Sequence, residues 1–256
     1  MAHAVATGGA RVNGLVDGVN WLLDGDNWSG PTGVGTRLTE HLWITLLSMA
    51  IACAVALPIA LWLGHIGRGG ALAVNISNVG RAVPTFAILA ILYMTPLGLS
   101  IWTTVIALVL FAIPPILTNA YVGMREVDRD AVEAARGMGM NGLQLLRRVE
   151  LPLAVPLIMG GIRLATVQVV ATATLAAVIS GPGLGRIITS GFNRQDVPEL
   201  IGGAIMVGLL ALAIEGVMAL LQRAADPMRR ATRQGRSKRD RDRGMPLVTD
   251  EVVSGA

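Results

Sequence analysis

Long uncharged runs dominate the chain, broken by short charged segments. Leu42 to Leu63, LWITLLSMAIACAVALPIALWL, is the first. It matches the roughly 20 apolar residues with which a helix crosses a bilayer core. Ala82 to Met124 is also uncharged and is about twice as long as one crossing needs. TPLGLS, Thr95 to Ser100, lies inside that run and supplies Pro and Gly for a tight turn. The run therefore reads as two helices, near 74–95 and 100–122. A fourth is predicted over 153–180, interrupted by Arg163 and closed by GPGLG at 181–185. A fifth covers 200–221, with Glu215 as its one charge. The pattern predicts an all-α polytopic membrane protein with about five transmembrane helices.

Composition agrees. Hydrophobic residues make up 53% and charged residues 15%, against about 25% charged in soluble domains. Cys53 is the one cysteine, so no disulfide forms within the chain. Charge gives the expected orientation. Arg68, the five arginines between Arg125 and Glu150, and the basic run from Gln222 to Arg243 fall on one side. Positive charge marks that side as cytoplasmic. The segment through Glu40, the turn at 95–100 and the 181–199 loop carry no such excess and fall outside. The N-terminus is thus expected outside and the C-terminus in the cytoplasm. Residues 1–37 form an extracytoplasmic segment, 38–222 the membrane domain, and 223–256 a basic, disordered tail. Beside a span such a tail reads as a topology determinant rather than a nucleic-acid site. Residues 1–36 hold Arg11, Asp17, Asp24 and Asp26 and lack the apolar core of a cleaved signal peptide. Trp28, Trp43, Trp62 and Trp102 lie near span ends, as an interfacial belt requires.

The segment 126–152 departs from this pattern. DRDAVEAARGM has helical spacing, with Ala131, Val132, Ala134, Ala135 and Met138 on an apolar face. Asp128 and Asp130 suit its N-terminus. Gly137, Gly139 and Gly142 break it. A second short helix, LQLLRRVEL, follows and should end before Pro152. Two readings are open: a loop folded back onto its own bundle, and a docking element whose short helix lies in a soluble partner's groove.

Glu133-Ala134-Ala135, three residues, Gly139, nine residues, then Val149-Glu150-Leu151-Pro152 resembles the EAA signature of ABC-importer permeases, EAA-x3-G-x9-I-x-LP, with Val149 in place of Ile. From Trp21 to Leu221, stretches such as NVGRAVPTFAILAIL and ELPLAVPLIMGGIRLATVQVVATATLAAVISGPGLG are similar to the osmoprotectant (glycine betaine, carnitine, choline) permeases. The resemblance implies a type I importer permease fold. It implies that Glu133, Ala134, Ala135 and Gly139 couple to an ATPase subunit, with Leu151 and Pro152 leading into the fourth span. It also implies a second permease copy or a paralogue, and a separate extracytoplasmic solute-binding protein. Arg81 departs from the family, whose members often carry Gln there. Alternatives are an importer for another small solute such as an amino acid, and a non-transport membrane scaffold.

This chain is expected to be no enzyme, with ATP used by the partner. GPTGVGTR, Gly30 to Arg37, lacks the phosphate-binding lysine of a P-loop. His3, His41 and His65 share no metal-ligand spacing, and His41 and His65 are expected at the interfaces of the first span. Arg81, Arg163 and Glu215 lie at membrane depth, where ionisable residues point to function. Either Glu215 pairs with Arg163 or Arg81, or each snorkels to the inner interface. Gln168, Thr172 and Thr174 are candidates for lining the path, and interhelical hydrogen bonding is their other use. Quaternary ammonium ligands favour aromatic cages. The spans hold few aromatics at mid-depth (Phe86, Tyr93, Phe111), so tight recognition is expected of a separate binding protein, and about 35 polar residues after the last span lead to the expectation that it is not fused.

Overall fold

The computed structural model describes residues 14–70, 75, 84–179 and 181–226, and these form helices. α1 covers 14–23 and leads into a 3-10 turn, Gly25–Trp28. α2 is Val34–His65, α3 Thr85–Tyr93, α4 Ile101–Arg125 and α5 Arg129–Gly137. α6 runs without a break through Gly142–Ile179. α7 is Gly185–Arg194 and α8 Val197–Ala225. Four of these, α2, α4, α6 and α8, are long and apolar enough to cross a membrane. The first part of the expected second span, through residue 83, lies outside the described residues apart from residue 75, and Arg81 with it.

The core is a three-helix stack of α2, α4 and α6. Ala52, Ala56 and Ala60 of α2 meet Leu108, Ala112, Ile116 and Ala120 of α4, and Ala154, Ala165 and Val169 of α6 close the other side. Small side chains suit this packing, because lipid gives helices no hydrophobic reason to associate and close approach must supply the attraction. Trp43 and Trp62 of α2 are both well exposed. Nineteen residues separate them, about 28 Å along a helix, close to the thickness of the hydrocarbon core. The rest of α2 continues past Trp43, so the helix starts at Val34 rather than near residue 42. An Arg37–Glu40 pair one turn apart supports that extension.

The turn at 95–100 forms as expected. Gly98 N–H donates to the Thr95 carbonyl (2.9 Å), and the Ser100 hydroxyl caps α4 by accepting from Trp102 N–H. Three expectations need correction. The 181–199 loop contains a helix, α7, whose polar and apolar residues share too short a segment to show a span-like pattern. His41 does not sit at an interface but is fully buried. The second helix of the 126–152 segment is not separate: it is the first part of α6. Pro152 was expected to stop it, because proline clashes with the carbonyl four residues back. A π turn at Leu146–Glu150 relieves this, with Leu151 N–H reaching the Leu146 carbonyl.

Candidate functional site

The EAA segment forms a compact unit at one end of the bundle. Asp128 caps α5, its carboxylate accepting from Asp130 N–H at 2.9 Å. α5 ends in a Schellman closure: Gly139 N–H donates to the Arg136 carbonyl (2.9 Å) and Met140 N–H to the Ala135 carbonyl (3.2 Å). That closure needs a left-handed residue between them, and Gly139 has φ +83°. The spacing from Ala135 to Gly139 therefore has a backbone cause. Ala135 lies in the buried core, and Met140 packs against that same core. A capping box restarts the chain. Asn141 Oδ1 accepts from Gln144 N–H (2.9 Å), while Gln144 Oε1 accepts from Asn141 N–H (3.0 Å).

α5 has two faces. Val132 and Ala135 turn inward and join Val127 and Leu145 in the core. Glu133, Ala134 and Arg136 face outward, and Met138 is 73% exposed. The apolar face read from the sequence is thus divided: Val132 and Ala135 anchor the helix, while Ala134 and Met138 are displayed. Arg129, Arg147 and Arg148 are exposed around it. Leu151 and Pro152 are half-buried where α6 straightens after its π turn. Beside them Glu150 is buried, and its carboxylate bonds to Nδ1 of His65 at 2.5 Å. This ties the EAA segment to the end of α2. Nothing in the spacing of His65 and Glu150, 85 positions apart, signals the contact.

Arg163 and Glu215 come together between α6 and α8. Arg163 Nε donates to Glu215 Oε1 at 2.9 Å, and Nη2 donates to the same oxygen. Gln222 completes the cluster, accepting from Arg163 Nη1 (3.1 Å) and donating to the Pro156 carbonyl (3.2 Å). Gln168 lies on an exposed strip of α6 with Leu164 and Leu175. Thr172 is buried within the bundle, and the Thr174 hydroxyl donates to the Val170 carbonyl of its own helix at 3.2 Å.

At the opposite end, Glu40 and His41 hold the GPGLG loop. Gly183 N–H donates to Glu40 Oε2 (3.0 Å), and Leu184 N–H donates to His41 Nδ1 (3.3 Å). Because Nδ1 accepts, the ring proton sits on Nε2, which faces the Val170 carbonyl at 3.2 Å. Gly183 has φ +105°, and a Cβ there would lie 2.9 Å from His41 Nδ1. Among the described residues no group of three His, Cys, Asp or Glu side chains is placed to hold a metal ion.

A family described as "Binding-protein-dependent transport system inner membrane component" matches residues 56–231. The glycine betaine/carnitine/choline transport system permease protein OpuCB of Bacillus subtilis is 37% identical over 188 residues, 73% of this chain and 86% of that protein. The carnitine transport permease protein OpuCB of Listeria monocytogenes is 38% identical over 198 residues, 77% of this chain and 89% of its own length. The osmoprotectant import permease protein OsmY of Salmonella typhimurium is 37% identical over 190 residues, 73% and 80% respectively. Among solved structures, the inward-facing MetNI methionine ABC transporter superposes with a TM-score of 0.63 at 20% identity, over 75% of this chain and 95% of that one. An amino acid ABC transporter with histidines gives 0.60 at 24%, over 74% and 92%. At such identities these two speak for the fold, which is that of a type I importer permease. The family match and the signature segment folded at one end of the bundle lead to one assignment: the chain belongs to the binding-protein-dependent inner-membrane components, the permease subunits of ABC importers, whose ATP is hydrolysed by a separate subunit.

Proposed function

We propose that this permease carries osmoprotectants of the quaternary-amine class, such as glycine betaine, choline and carnitine, inward across a bacterial cell membrane. Its N-terminus lies outside and its tail, residues 223–256, in the cytoplasm. Residues 38–222 form the permease domain, preceded by the extracytoplasmic segment 1–37. The observation that carries the reading is the two-faced α5. It is fixed to the α2–α4–α6 core by Val132 and Ala135 and presents Glu133, Ala134 and Met138 to a partner. In this reading the partner is the ATPase, and Gly139, Leu151 and Pro152 relay its movement into α6. Arg163 and Glu215 hold α8 to that moving body. Gln168, on the exposed strip of α6, faces the path shared with a second permease copy or a paralogue, with Thr172 and Thr174 backing it. Solute arrives from an extracytoplasmic binding protein. The relatives' glycine betaine, carnitine and choline transport supports the substrate class.

The test is ATP-dependent uptake of radiolabelled glycine betaine, choline and carnitine into vesicles holding the full complex. Uptake of these three in preference to amino acids is expected. Preference for an amino acid would overturn the substrate class, and absence of any ATP-driven uptake would overturn transport itself.

A further inference from the structure

At the end of the bundle opposite the coupling segment lies a polar cavity of about 530 Å³. That is within the range of roughly 300–1,000 Å³ typical of small-molecule sites. The 3-10 turn after α1, the first turns of α2 and α8, and α7 all contribute to its wall. Most of its charges are committed elsewhere. Arg37 is held by Glu40 at 2.9 Å, and Arg194 lies 3.7 Å from Glu199. Asp196 caps α8 by accepting from Glu199 N–H.

Two charges remain. Arg186, exposed in the first turn of α7, has no acidic partner among the described residues, and the carboxylate of Asp26 in the 3-10 turn has no basic one. Both line the same cavity, together with Trp21. A guanidinium offers a two-pronged donor to a carboxylate. A carboxylate and an indole ring on the wall of one cavity suit a cation. A space with one uncommitted charge of each sign complements a ligand that also carries one of each.

We propose that this cavity binds a small zwitterion, its carboxylate on Arg186 and its cationic group on Asp26. The site is separate from the exposed strip of α6 that bears Gln168. Its placement on the outer face rests on the orientation given above; its chemistry does not.

The experiment is equilibrium binding of glycine betaine to the permease–ATPase complex in nanodiscs, with no solute-binding protein present. Saturable binding is expected. Arg186→Gln and Asp26→Asn should each weaken it by about tenfold or more, the loss of one charge-assisted contact. Arg186→Lys should retain part of the affinity. Choline, which has the cation but no carboxylate, should bind weakly, respond to Asp26→Asn and ignore Arg186→Gln. Among the described residues neither side chain makes a hydrogen bond or ion pair that the substitution would remove, and matching thermal unfolding of the variants verifies that they fold. Absence of saturable binding to the unaltered complex would overturn the proposal. So would binding that neither substitution weakens, which places the ligand elsewhere in the permease. Uptake by the full complex with an empty cavity sinks this inference alone. Binding here without ATP-driven uptake sinks the transport reading alone.

Discussion

α4 and α8 are both long, strongly apolar spans, yet they live in different surroundings. Fifteen residues of α4 are buried, against three of α8: Gly202, Gly203 and Leu210. Hydropathy cannot separate them, because a lipid tail is as apolar as a protein core. Side-chain size and position do better. α4 brings Ala107, Ala112, Ala120 and Gly123 to its neighbours, and α2 answers with Ala52, Ala56 and Ala60. α8 turns Leu209, Leu212, Val217 and Leu220 outward. α4 also runs directly into the EAA segment, through Val127, Val132 and Ala135. A push on α5 therefore reaches α2, α4 and α6 as one packed body. α8 is joined to that body by the Arg163–Glu215–Gln222 cluster and by a smaller apolar cluster in which Leu210 joins Val34 of α2 and Val170 of α6.

The contrast breaks most visibly at Ala112. Ala112→Phe overfills the α2–α4–α6 stack and should lower stability by about 1–3 kcal/mol or more. Thermal unfolding in detergent would register it. The equivalent change on α8, Ala213→Phe, meets open surface and should stay within about 0.5 kcal/mol. If Ala213→Phe proved as harmful as Ala112→Phe in the assembled complex, α8 would be facing protein there and not lipid.

His65→Ala is next. It leaves the buried Glu150 carboxylate without its hydrogen bond, at about 1–3 kcal/mol. His65→Gln should recover part of that by donating through its amide. Disulfide trapping between α2 and the start of α6 would register the loosened junction. Arg163→Gln and Glu215→Gln should each lower the unfolding temperature, whereas the double Leu variant should recover, since an apolar pair avoids an unpartnered charge. The predicted fingerprint is selective: α8 should become protease-accessible while the α2–α4–α6 stack keeps its protection.

The smallest change in stability is expected at α5. Gly139→Ala forces a side chain into a left-handed position at about 1 kcal/mol, with no steric clash, since nothing lies within 4 Å of the added Cβ. Glu133→Arg is exposed and should leave folding unchanged. Both should still cut ATPase capture and uptake. Unchanged uptake in both variants would remove the coupling role from α5.

Much of this was legible in the chain. Runs of uncharged residues placed the four spans described, TPLGLS placed its turn, and the glycines marked where α5 ends. Gly139 was readable because only one backbone conformation makes glycine necessary there. The continuity of α6 was not, since Pro152 reads as a stop and a π turn that admits it has no sequence mark. α7 was missed because a ten-residue helix, though clearly amphipathic, is too short and too polar to register as a span. Two apolar-face residues, Ala134 and Ala135, look alike in sequence and face opposite ways in the fold.

The sequence by itself determined the membrane class, the spans and the signature segment, because hydropathy and short-range spacing are local properties. Only the tertiary structure decided which partner Arg163 or Glu40 takes, that His41 and Glu150 are buried, and which apolar helix meets protein instead of lipid. Those outcomes depend on contacts between residues dozens of positions apart. No local pattern encodes them, because each is fixed by how closely small side chains let the helices approach.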